Sequence, residues 1–182
     1  MKRGSLAAAL VAALAWAAVA ARPVVTREAL AALEKKFDHR IQSYSLNDPF
    51  ELLGNTRGVY LPDYGVVFTS EVNLVASAVV TPFRPAFTPE QIQQLRQKKL
   101  KRLEDLKRIM RAMMVDSATA LRGVPREQRI AVGVSLFRFH WEDSRGLPAQ
   151  ILMEARRRAL LDFEAGKLDS AGLEAAIRVQ EF

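Results

Sequence analysis

Apolar residues fall at alternating positions in some stretches of this chain and at spacings of three and four in others, and the change of period marks its elements. From Val66 to Val80 the even positions are Val66, Phe68, Ser70, Val72, Leu74, Ala76, Ala78 and Val80, whereas the odd ones include Thr69, Glu71, Asn73 and Ser77. Successive side chains of a strand point to opposite faces, so this pattern predicts a strand with one buried face, broken only by Ser70. Upstream, Gly58-Val59-Tyr60-Leu61 leads into Pro62-Asp63-Tyr64-Gly65, whose proline and glycine supply turn geometry. Residues 57–80 are therefore predicted as a β-hairpin, bent because its second arm is long for one strand.

Helical spacing flanks the hairpin. Thr26 can cap a helix in which Leu30, Leu33 and Phe37 share one face. Asp48-Pro49-Phe50-Glu51 combines a cap, a proline at the first helical position and an acid three residues after the cap, which predicts one helical turn ending at Gly54. Thr88-Pro89-Glu90-Gln91 is a capping box, and Ile92, Leu95, Leu103, Leu106, Met110, Met113 and Leu121 continue the helical spacing as far as Gly123 and Pro125. A helix over 89–121 would be about 50 Å long at 1.5 Å per residue, so a break or bend is expected near Met114 to Ala118.

Between Ile130 and Phe139 neither alternating face is polar before Arg138: Ile130, Val132, Val134 and Leu136 form one, Ala131, Gly133, Ser135, Phe137 and Phe139 the other. That predicts a central strand covered on both sides, with another element approaching the small residues 131, 133 and 135. Ile151, Met153 and Ala155 alternate with Gln150, Glu154 and Arg156 as a further strand, while spacing leaves residues 157–165 open between strand and helix. Asp169 or Ser170 caps a last helix with Leu173, Ala176 and Ile177 inward. The expected fold is α+β: one domain, a mainly antiparallel sheet of about four strands in two hairpin-like pairs, a long amphipathic helix packed on one face, and shorter N- and C-terminal helices.

The first twenty residues change the picture of where this domain works. Lys2 and Arg3 precede an uncharged apolar run from Leu6 to Val19, and Ala18-Val19-Ala20 offers the small residues that a signal peptidase accepts. The expectation is a Sec-type signal peptide over 1–20, cleavage after Ala20 and a mature domain over 21–182 in the periplasm or outside the cell. Retention as an anchor is the alternative, disfavoured because the run is alanine-rich and shorter than the roughly 20 strongly apolar residues of a spanning helix. The chain has no Cys, which removes disulfides and thiolate chemistry. Loss of Lys2 and Arg3 lowers the formal net charge of +7 by two, leaving an excess that favours anionic partners without naming one.

Chemistry-bearing residues are sparse. His140-Trp141-Glu142-Asp143 is the one place where a neutral-pH base and two carboxylates lie together, so His140, Glu142 and Asp143 are the low-ranked candidates for acid–base catalysis or a hydrolytic or metal site. The bland alternative is a polar turn anchored by Trp141. Gly54-Asn55-Thr56-Arg57-Gly58 lacks the lysine and following helix of a phosphate cradle and reads as a plain loop. Tyr60, Asp63 and Tyr64 offer an aromatic contact at the hairpin turn, or simply pack beside it.

The strongest feature outside the core pattern is cationic. Arg96, Lys98, Lys99, Lys101, Arg102, Lys107, Arg108 and Arg111 lie on the long helix, opposed within it by Glu104 and Asp105, and Arg156-Arg157-Arg158 can extend the positive surface. They make residues 96–111 the candidate face for lipid headgroups or an acidic partner, including peripheral membrane contact, against the alternative of a solvated outer helix face. No nucleic-acid recognition motif accompanies the charge, and apart from the His140 cluster no residue pattern calls for a cofactor or metal. The sequence reading is a non-catalytic exported envelope protein acting through protein contacts. An anionic-surface module and an enzyme centred on His140 follow in that order.

Overall fold

The hairpin turn is fixed by backbone conformations that few residues adopt. Asp63 has φ 65°, Gly65 has φ 132°, and a Cβ at position 65 would lie 1.9 Å from the Arg129 carbonyl oxygen, so only glycine fits there. The computed structural model describes residues 25–45, 47–76 and 87–182, and the signal peptide expected over 1–20 lies outside them. Around this turn, β2 (Arg57–Leu61) pairs antiparallel with β3 (Gly65–Asn73), and the short β1 (Glu51–Leu52) continues the same side through Glu51 opposite Asn73.

The remaining strands extend the sheet from the other side of β3. The β4 strand (Arg129–Leu136) runs parallel to it, with Phe68 opposite Val132, and β5 (Gln150–Arg156) and β6 (Arg178–Glu181) follow antiparallel. The result is a single-domain α+β fold on a six-stranded mixed sheet that is largely antiparallel. Both expected antiparallel pairs are present, and a parallel contact joins them because the long helix carries the chain from the end of β3 back to the start of β4.

The helices cover one sheet face. Thr26 accepts a hydrogen bond from the Ala29 N–H and starts α1 (Arg27–Gln42), which buries Leu30, Leu33, Phe37 and Ile41. The capping box of Thr88 and Gln91 starts α2 (Pro89–Ala120), which buries Leu103, Leu106, Met110, Met113 and Met114. These pack against Val66, Phe68, Val72, Ile130, Val132, Ile151 and Met153, with Phe37 meeting Phe68 edge to face at 4.9 Å. Burying such side chains contributes about 1.5–3 kcal/mol each before entropy is counted.

The helix α2 continues through Met114 to Ala118 without the expected break. Its polar residues there are accommodated along the helix, Ser117 Oγ donating to the Met113 carbonyl and Thr119 Oγ1 to that of Val115. Beyond its end, buried Arg157 donates from Nε to the Ala118 carbonyl at 2.9 Å and from Nη1 to that of Val124 at 2.8 Å, satisfying carbonyls left open there. Arg157 begins α3 (Arg157–Glu164), which resolves the undecided stretch as helix, and Asp169 caps α4 (Ser170–Ala176).

Several expectations need correction. Residues 48–51 form no helical turn: the Asp48 carboxylate is taken by Lys98 and Arg102, Phe50 is buried, and Glu51 enters β1. The β3 strand ends at Asn73, and residues 77–80 of the expected longer strand lie outside the described residues. The C-terminal helix is followed by a strand, β6, that no alternation announces. Finally, no described element covers the outer sheet face of β4. Ala131 is buried there between Val67 and Glu154, but a Cβ on Gly133 would meet nothing closer than 3.9 Å.

One sheet edge is closed by a polar device. Glu34, buried on α1, accepts from the Gly58 N–H at 2.7 Å, while Arg27, paired with Glu34, donates to the Gly58 carbonyl at 3.3 Å. Both main-chain groups that Gly58 would offer to an added strand are occupied.

Candidate functional site

The His140 cluster is dispersed by its own neighbours. The loop from Phe137 to Ala149 leaves His140 exposed, without a hydrogen bond to either adjacent carboxylate. Glu142 turns inward and meets Lys99 at 2.5 Å, both side chains almost wholly buried. Asp143 accepts from the Arg145 guanidinium at both carboxylate oxygens and from the Arg145 N–H, with Arg96 at 3.8 Å; the guanidinium first and then the N–H, against burial and helped by Arg96, hold its pKa down at about 2. A general acid needs a proton near neutral pH and a general base needs a free lone pair facing substrate, so Asp143 meets neither requirement there. No group of three or more His, Asp or Glu among the described residues is arranged to hold a metal ion.

Trp141 does not anchor this loop by entering the core. It stacks between Phe87 at 4.3 Å and Phe139 at 5.5 Å, and Phe139 meets Phe137 edge to face, so four half-buried rings form a row. The signal for it was available: Phe137, Phe139 and Trp141 occur at every second residue, continuing the outer face of β4.

The basic residues of α2 are distributed around the helix. Lys99 and Arg102 are buried, Arg96, Lys107 and Arg111 are half-buried, and Lys98, Lys101 and Arg108 are exposed. Acids from distant parts of the chain come to meet them. Asp48 lies 2.8 Å from Lys98 and 2.7 Å from Arg102, Glu181 lies 2.6 Å from Lys107, and Glu174 lies 3.9 Å from Arg111. Arg108 pairs with Asp105, and the Arg102 guanidinium lies 4.2 Å over the Phe50 ring. Burial pushes the Asp48 carboxyl up, but Lys98 and Arg102 outweigh it and hold it below its ordinary value. Lys101 is the cation of the row with no ion-pair partner among the described residues.

The hairpin residues separate as well. Tyr64 crosses to the outer face, where its hydroxyl donates to Glu154 at 2.8 Å, and burial together with that carboxylate raises its pKa to about 12. Glu154 also faces Arg129 at 3.0 Å and Arg178 at 3.4 Å. Tyr60 packs partly against the core. The 54–58 loop is held by the Thr56 N–H donating to Asp38 and by the Gly58 contacts described above.

Two features were not legible as sites in the sequence. Gly133 floors a hollow of about 200 Å³ on the outer sheet face, walled by Thr69, Ser135, Gln150, Leu152 and Phe182. The same face carries exposed Val59 and Leu61 on β2. At the other end of the molecule, Arg156, Arg158 and Lys167 surround a cavity between α3 and α4. No described helix is long and apolar enough to cross a membrane. Comparison with protein-family models, curated proteins and solved structures finds no match for this chain.

Proposed function

We propose that the chain is an exported envelope protein that works through protein contacts and has no catalytic centre. The observation that carries this reading is the outer sheet face, where the Gly133 hollow and exposed Val59 and Leu61 leave apolar surface uncovered by any described element. Apolar surface with a shaped depression, rimmed by polar groups such as Gln150 and the Glu154 network, suits a protein partner that inserts an apolar side chain. The signal-like residues 1–20 support export, and the ion pairs of Glu142 and Asp143 weigh against chemistry at His140.

The basic helix is the weaker alternative. A surface that attracts lipid headgroups needs cations free to face them, whereas most of this row is already paired or buried.

Photocrosslinkers placed at Thr69 and at Lys101 in the native envelope test the choice. The expected result is a discrete adduct from position 69 that Gly133→Leu abolishes while the protein stays folded. Adducts from position 101 alone, or a position-69 adduct indifferent to Gly133→Leu, would overturn the sheet-face reading.

A further inference from the structure

The end of the molecule remote from the Glu142 loop carries a frame for an anion. The β5 strand delivers Arg156 directly into α3, so Arg156 and Arg158 flank the start of that helix. After α3 the chain folds back tightly. The Ala165 N–H donates to the Leu161 carbonyl, Gly166 adopts φ 69°, and the Lys167 and Leu168 N–H groups both donate to the Asp162 carbonyl. This places Lys167 across from Arg156 and Arg158. Leu168 then lies against α4, where a Cβ at Gly172 would come within 2.4 Å of Leu168 Cδ1, so the absence of a side chain at 172 lets the two segments close together. Between α3 and α4 is a cavity of about 340 Å³ with Ala159, Leu168, Gly172 and Ala176 as its apolar lining.

Charge around this cavity is incompletely compensated. Arg156 and Arg158 share one carboxylate, Glu127, at 3.0 and 3.6 Å, and Asp162 is engaged by Arg126 at 3.0 Å. Lys167 has no ion-pair partner among the described residues. The cavity lining therefore carries three cations, Arg156, Arg158 and Lys167, against one carboxylate, Asp162, which Arg126 already engages, while the α4 cap Asp169 is taken by the Gly172 N–H. The volume lies at the small end of ligand pockets, and the mixture of apolar lining with convergent cations is what a small amphipathic anion requires.

We propose that this cavity binds a small organic anion, an oxyanion headgroup on a short apolar body, with Lys167 and Arg158 holding the headgroup and Ala159, Leu168 and Ala176 receiving the body. Carboxylate and phosphate share the recognition chemistry. This proposal is independent of the sheet-face reading, since it uses none of the same residues.

Calorimetric titration of the folded mature protein at about 0.15 M ionic strength, where long-range attraction is screened, tests it with inorganic phosphate, butyl phosphate and butyrate. The expected result is saturable binding of butyl phosphate or butyrate, tighter than that of inorganic phosphate, with the better of the two identifying the headgroup. Lys167→Gln and Arg158→Gln each weaken binding about tenfold, as expected for losing one charged hydrogen bond. Ala176→Leu, which fills the cavity without changing charge, also weakens it, and Lys101→Gln on α2 leaves it unchanged. Should Ala176→Leu fail to fold, the two exposed charge variants decide. Absence of saturable binding below about 10 mM, equal affinity for phosphate and butyl phosphate, or equal weakening by Lys101→Gln would each overturn the proposal.

Discussion

A few polar side chains in this protein are buried for main-chain groups that no helix or strand satisfies. Arg157 is one: its guanidinium donates to two carbonyls, that of Ala118 in the last turn of α2 and that of Val124 in the turn that follows. Replacing it by Leu would keep apolar volume but strand both acceptors away from water. Arg157→Leu should cost about 3 kcal/mol in a denaturant titration, against about 0.5 kcal/mol for Arg122→Leu at an exposed position nearby. Glu34 is another. The Arg27 hydrogen bond is the main influence, opposed by burial and helped by the Gly58 N–H, and together they hold the carboxyl below its ordinary 4.5. A depressed carboxyl contributes stability above the unfolded value that is lost as pH falls through the lower folded one. Stability should therefore drop on acidification below about pH 4.5, and Glu34→Gln should flatten that part of the profile while lowering stability at pH 7. An unchanged profile in the variant would show that the Arg27–Glu34–Gly58 contact adds nothing.

At the scale of elements, periodicity identified what was buried on one side but not whether the other side was covered. The even positions of β3 face the helices as their pattern predicts, including Ser70, whose hydroxyl is buried without a hydrogen-bond partner among the described residues. On β4 the pattern misleads for a physical reason. Ala131, Gly133 and Ser135 are small residues, and small residues serve equally well beneath a packed element and on an open face. Register decides, because Gly133 lies between Thr69 and Leu152 with free space above it. Gly133→Leu should accordingly change stability by less than about 1 kcal/mol, since the added side chain fills a hollow and displaces nothing, and thermal or chemical denaturation checks this. A loss of several kcal/mol would mean that something covers the face after all. The helices were more legible than the strands: Thr26, the Thr88 capping box and Asp169 start helices as read, because caps are local chemistry. The Asp48-Pro49 signal failed because Lys98 and Arg102, fifty and more residues away, compete for the same carboxylate.

Across the whole molecule, the same competition explains why a row of eight cations could be read as one continuous surface. The partners that divide it come from Asp48, Glu142, Asp143, Glu174 and Glu181, and only the fold brings those positions to α2. Spacing along the helix could not distinguish Lys101, which is exposed, from Arg102, which is buried against Phe50 and Asp48. Charge reversal separates the two kinds of cation. Lys101→Glu with Arg108→Glu should stay within about 1 kcal/mol of wild type, since both sites are exposed and the one pair lost is a surface pair with Asp105. Adding Arg102→Glu should cost about 3–5 kcal/mol more, because a buried carboxylate would then face Asp48 with no cation in the Arg102 position. Denaturant titration of the two variants gives that difference directly, and the double variant alone is suited to asking whether the helix binds anionic vesicles. If it binds them as wild type does, with the same weak dependence on salt, the exposed cations Lys101 and Arg108 do not carry the attraction. Vesicle binding by wild type that the double variant loses would instead restore the basic helix as the working surface and displace the outer sheet face.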